Sequence, residues 1–100
     1  FNLDETERLY QYVYYEDGKL KTEGSYSQDV RHGTWKSYYH SGELWTVNNY
    51  DLGILGGDYL MYNENRSLRI QGQYVNAEQK GVWTYNDDQG NLIETRDYGN

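Results

Sequence analysis

The sequence of 100 residues contains no cysteine, no proline and no long apolar run. Without cysteine the chain has no disulfide framework, no thiolate zinc site and no cysteine nucleophile. No apolar stretch approaches the roughly 18 to 20 residues that span a bilayer, so membrane insertion is not expected. Basic residues are also scarce, because nine Lys and Arg stand against 16 Asp and Glu, for a formal net charge of −7. This charge disfavours nucleic acid as a partner and is compatible with a basic partner protein.

The sequence also lacks the motifs that mark catalytic and metal-binding sites. His32 and His40 have no second His or Cys at ligand spacing, and the acidic turn at residues 86–90 does not follow the calcium-loop pattern. Gly56 and Gly57 are not followed by the Lys-Ser or Lys-Thr of a phosphate-binding loop. We therefore predict no catalytic residue, no metal site and no cofactor, and a protein that is not an enzyme.

Aromatic residues and glycine are abundant, with 13 Tyr, 3 Trp and 11 Gly, and they recur every 24 residues. The clearest columns are Leu20, Leu44, Leu68 and Leu92; Tyr26, Tyr50, Tyr74 and Tyr98; Gly33, Gly57 and Gly81; and Trp35, Tyr59 and Trp83. A fixed period of this length indicates a repeat architecture. It predicts a single domain of four units, residues 9–32, 33–56, 57–80 and 81–100. Residues 1–8 lie outside the repeat and are expected to form a flexible arm.

Each unit has the pattern of a β-hairpin. In the second unit, aromatic and β-branched residues at 34–39 and 43–50 flank a Ser-Gly turn. The turns fit a type I turn closed by a left-handed residue, which is Gly18, Gly42, Arg66 or Gly90. Arg66 should lose about 1 kcal/mol in that conformation. With linkers of about seven residues, such as 51–57, the chain is predicted to be all-β: an antiparallel meander of about four hairpins in a single elongated or curved sheet.

The two faces of this sheet are expected to differ. Side chains alternate between the faces of a strand, and the Leu and Tyr columns fall on one face, which we predict to be the buried one. The opposite face carries mainly charged and amide side chains in the first and third units.

The repeated unit Gly-x-Trp-x-x-Tyr-Tyr-x-x-Gly-x-Leu, with a Tyr six residues later, resembles the MORN repeat, in the longer bacterial variant of the YwqK-like antitoxins. The matching residues are Gly33, Trp35, Tyr38, Tyr39, Gly42, Leu44 and Tyr50. The resemblance implies a curved or elongated antiparallel sheet and a non-catalytic protein-binding role, with a toxin as the partner in some members. The alternative is an exported structural or self-assembling β-repeat protein that forms homo-oligomers through its edge strands. Because the chain begins at Phe1, we expect a trimmed N-terminus, and both a cytoplasmic and an exported location stay open.

The candidate partner-binding residues are apolar side chains outside the repeated columns: Trp45, Val47, Leu52, Ile54 and Leu55. Trp45 and Val47 fall on the face that is polar in other units, and the other three fall in a linker whose counterparts are mostly polar. One interpretation is an exposed interface with Trp as its anchor. The other is a small satellite core in which the linker folds back and covers Trp45.

Overall fold

The computed structural model describes residues 9–100, which form one open antiparallel sheet and no helix. Its nine strands are β1 (Leu9–Tyr14), β2 (Leu20–Ser27), β3 (Val30–Tyr38), β4 (Leu44–Asp51), β5 (Ile54–Leu55), β6 (Gly57–Tyr62), β7 (Leu68–Val75), β8 (Glu78–Asn86) and β9 (Leu92–Asp97). They lie side by side in chain order, except that the short β5 pairs only with β4. The predicted all-β meander is confirmed. The arm predicted at residues 1–8 lies outside the described residues.

The sheet is one layer thick. The described chain measures 52 × 39 × 15 Å, and two packed sheets would already place their backbones about 10 Å apart before outer side chains are added. Within residues 9–100, neither face is covered by a second layer, and the core is formed by side chains that lie flat against one face. We call the face that carries Trp35 and Trp83 the aromatic face and the other the polar face.

Two tryptophans form the centre of the core, and each lies over a glycine of the neighbouring strand. Trp35 and Trp83 are each only 2% exposed. A Cβ atom added at Gly24 would lie 2.1 Å from the Trp35 ring, and one at Gly72 would lie 2.0 Å from the Trp83 ring. The Trp35 indole N–H also donates to the Ser25 carbonyl at 2.9 Å, so its polar group is satisfied. Both Trp–Gly contacts depend on the absence of a side chain at the glycine.

The four turns within the units have the predicted form. Gly18, Gly42, Arg66 and Gly90 all have positive φ, with values of 92°, 98°, 78° and 88°. In each turn this residue's N–H donates to the carbonyl three residues earlier, and the strand register shifts beside it. The left-handed conformation of Arg66 is therefore confirmed as well.

The segments between the units differ from the prediction, because they are tight hairpins with two-residue turns rather than linkers of about seven residues. Leu52 and Gly53 have φ of 46° and 89°, and β5 then folds back to pair with β4. Equivalent pairs of positive-φ residues connect β2 to β3 and β7 to β8. Two consecutive positive φ angles give the turn whose twist matches that of paired strands. The meander therefore has hairpins both within and between its units.

Neighbouring units are also joined along the edge that carries the four turns. The Tyr15 hydroxyl donates to the Tyr38 carbonyl at 2.7 Å, and the Tyr39 hydroxyl donates to the Tyr62 carbonyl at 2.7 Å. At the next step Asn63 replaces tyrosine, and its amide donates to the Asp87 carbonyl at 3.1 Å. A side chain of one unit therefore bonds to the backbone of the next at each step.

Candidate protein-interaction surface

Trp45 lies on the polar face of β4 and is 39% exposed. Its ring stacks on Tyr39 with the ring centroids 5.2 Å apart and the planes 28° from parallel. Val47, two residues further along β4, is half-buried and lies opposite Lys36 and Leu60 of the flanking strands. Together Trp45, Tyr39, Val47 and Leu60 form an apolar surface that we call the Trp45 patch.

The other three predicted residues lie at the far end of β4. Leu52 is 46% exposed and Ile54 is 50% exposed, whereas Leu55 is half-buried. Ile54 and Leu55 line an open concavity of about 340 Å³ together with Val75 of β7. The Leu52 backbone N–H donates to His32 Nδ1 at 3.0 Å, which fixes the turn against β3. This second surface is shallow and open to solvent.

The structure thus places the five predicted residues in two separate groups. Trp45 and Asp51 are six steps apart along an extended strand, which corresponds to about 20 Å at roughly 3.3 Å per step. The segment that carries Leu52 and Ile54 lies beside β4 in the sheet and not over the indole ring. The side chain stacked on Trp45 is Tyr39, whose position could not be inferred from strand alternation because it lies at a turn.

Sequence reasoning missed a polar cluster on the same face. Tyr10 of β1 and Tyr38 of β3 both donate hydroxyl hydrogen bonds to the Glu23 carboxylate of β2, the first at 2.9 Å. The hydrogen bond from Tyr38 is the main reason that the pKa of Glu23 lies below its usual value. Burial and the same bond raise the pKa of Tyr38 to about 12. The cluster therefore joins three neighbouring strands, β1, β2 and β3, through side-chain hydrogen bonds.

Each histidine contacts a residue of a neighbouring turn. His40 Nε2 lies 2.5 Å from the Asp17 carboxylate, and the His40 ring packs edge-on against Tyr15. His32 is the acceptor for the Leu52 N–H described above. Among residues 9–100, no three His, Asp or Glu side chains come together in a way that could hold a metal ion. The described chain also contains no helix long and apolar enough to cross a membrane.

These features define an open, single-layer β-repeat protein with an apolar patch on a polar face. Comparison with known families gives the repeat type, because the model of the MORN repeat variant matches residues 10–28 and 31–51. The chain is thus similar to this repeat across most of its first two units. MORN repeats are generally non-catalytic modules that bind membranes or proteins. No curated protein and no solved structure matches the chain.

Proposed function

We propose that this chain is a non-catalytic protein-binding module that presents the Trp45 patch to a partner. The observation that carries the proposal is the exposure of Trp45 at a position where the first and third units have Lys21 and Arg69. The fold accepts a charged residue there, so a half-exposed tryptophan contributes little that the sheet needs. Tryptophan is a favoured anchor of protein interfaces.

The charge of the chain supports a protein partner with a basic surface. The net charge of −7 opposes approach to nucleic acid and to anionic membranes. Exposed acidic side chains also gather along the turn edge of the sheet: Glu16, Asp17, Glu64 and Asp88. Complementary charge would steer a basic protein towards this edge, beside which the Trp45 patch lies. A toxin neutralised by this module is the specific partner that the resemblance to YwqK-like antitoxins supports.

The test uses substitutions that the repeat itself contains. Trp45→Lys and Val47→Gln introduce the residues found at the equivalent positions Lys21 and Gln71, so both variants should fold. Lys21→Ala is the matched control on the same face. Partners recovered with the wild-type protein from the source cell are purified, and their affinities for all variants are measured by calorimetry.

We expect Trp45→Lys to weaken binding by about 30-fold or more, the range of an interface hot spot, and Lys21→Ala to leave it unchanged. Equal affinity for wild-type and Trp45→Lys protein would refute the proposed surface. Ile54→Glu, which introduces the residue found at the equivalent position of the third unit, Glu78, reports whether the second surface binds instead. The toxin proposal is tested separately, by asking whether co-expression of this chain relieves the toxicity of the recovered partner.

A further inference from the structure

The two outer strands of the sheet have free hydrogen-bonding edges in the described part of the chain. Every residue of β1 (Leu9–Tyr14) and every residue of β9 (Leu92–Asp97) is exposed, and these strands stand at opposite ends of the strand order. β1 has the sequence Leu-Tyr-Gln-Tyr-Val-Tyr, which contains no charge and no proline to prevent pairing. Such an edge is a template for another strand.

The sheet already contains three copies of the junction that would join these edges. β2 pairs with β3, β4 with β6, and β7 with β8, and each of these junctions connects one unit to the next. Their registers are related by the repeat, since the paired residues are Glu23 and Lys36, Val47 and Leu60, and Gln71 and Thr84. Each pair lies 24 residues after the preceding one at both positions.

The free edge of β9 corresponds to the edge that β2, β4 and β7 use in these junctions. The free edge of β1 corresponds to the edge that β3, β6 and β8 use. We propose that β9 of one molecule pairs antiparallel with β1 of a second copy and continues the sheet from one molecule to the next. If the 24-residue register of the internal junctions continues for one more unit, Thr95 of the first molecule lies opposite Tyr12 of the second copy. In the same register, Glu94 lies opposite Val13 of the second copy.

This contact is directional, and it goes beyond the proposed function because it uses the strand edges and not the Trp45 patch. A head-to-tail contact leaves one free edge at each end of the assembly, so it produces open chains of molecules rather than a closed dimer. The paired segment is short, since β1 and β9 have six residues each, and one strand pair of this length is expected to bury less area than a standard stable interface. Association is therefore weak and increases with protein concentration.

The absence of cysteine makes the register directly testable by cross-linking. Tyr12→Cys and Thr95→Cys are made in separate chains, mixed and mildly oxidised. Directly opposite residues of antiparallel strands have Cα atoms about 4.5 to 5.5 Å apart, which lies within the range of a disulfide. We expect mixed dimers in excess over dimers of either variant with itself. Arg96→Cys mixed with Tyr12→Cys is the control for the wrong face, and Val47→Cys with Leu60→Cys in one chain tests the geometry of the internal junction.

A non-covalent measurement accompanies the cross-linking. Val13→Glu places a carboxylate opposite Glu94 of the neighbouring molecule, and Val13→Lys places an ammonium there. In sedimentation experiments over a concentration series, Val13→Glu should weaken association about two- to fivefold relative to Val13→Lys. Predominant self-dimers of Tyr12→Cys would overturn the proposal in favour of a two-fold contact between two β1 strands. If the internal pair cross-links and the mixed chains do not, the proposal is wrong.

Discussion

Replacing Gly24 with alanine tests the packing on which the core depends. In an ordinary strand interior this change stabilises a protein by roughly 0.5 to 1 kcal/mol, because glycine loses more conformational freedom on folding. Here the new Cβ would lie 2.1 Å from the Trp35 ring, so the indole ring must move or the two strands must separate. Loss of a buried tryptophan costs about 3 to 5 kcal/mol. We therefore expect Gly24→Ala to destabilise the protein by about 2 to 4 kcal/mol, with a sign opposite to the usual one.

The assay is urea denaturation followed by far-UV circular dichroism. Gly56→Ala is the matched control, because this glycine does not have positive φ and its nearest neighbouring atom would be 4.0 Å from the new Cβ. It should change the free energy of unfolding by less than about 0.5 kcal/mol, the usual effect of substitutions away from special sites. Gly72→Ala should behave like Gly24→Ala, since its Cβ would lie 2.0 Å from the Trp83 ring.

A double-mutant cycle identifies the cause. Once Trp35→Ala has removed the ring, Gly24→Ala should be neutral or stabilising, and the two substitutions should be strongly non-additive. If their effects simply add, or if Gly24→Ala alone raises stability as at an ordinary strand position, the proposed contact does not determine the stability of the sheet.

Three further predictions concern single positions. Arg66→Gly relieves a left-handed conformation that costs about 1 kcal/mol and removes an exposed ion pair with Glu43 worth up to about 1 kcal/mol. Thermal melts should show a small net gain, and a loss in a Glu43→Gln background would contradict this account. Leu52→Asn should raise the urea midpoint, because Asn tolerates a φ of 46° better than Leu; an unchanged or lower midpoint would count against it. Because the folded-state pKa of Glu23 is lowered, its contribution is present above pH of about 4.3 and is lost as the pH falls through the folded-state value. The raised pKa of Tyr38, about 12, gives a contribution that is lost between pH of about 10 and 12. Tyr38→Phe should flatten both limbs of a profile of urea midpoint against pH, and an unchanged profile would refute this coupling.

The architecture was predictable because the turn sequence and the strand pattern of each hairpin recur every 24 residues. The turn residues show this most clearly, since Gly42 and Arg66 occupy the same left-handed position and the repeat period alone assigns Arg66 to it. The Leu52–Gly53 turn was missed because Leu-Gly is not the Asn-Gly or Asp-Gly sequence that usually marks a two-residue hairpin.

Contacts across strands were harder to predict than the turns. The Trp35–Gly24 contact depends on a register shift beside Gly24 that no local pattern reveals. A signal was nevertheless present, because Gly72 and Trp83 repeat the same pair 48 residues later. The candidate surface was predictable only as a set of exceptions to the repeat, and its division into two groups required the path of β5.

The recurrence of the Trp–Gly contact after 48 residues affects how the sheet comes apart. One contact stabilises the pairing of β2 with β3, and the other stabilises the pairing of β7 with β8. At the central junction, between β4 and β6, the positions equivalent to the glycine and the tryptophan are occupied by Asn48 and Tyr59. In a linear array, stability is the sum of the units and the junctions between neighbours. The molecule therefore consists of two halves, each stabilised by one Trp–Gly contact, and the junction between β4 and β6 that connects them is weaker. Under load or in mild denaturant, amide hydrogen exchange should begin between β4 and β6 while both tryptophans are still protected.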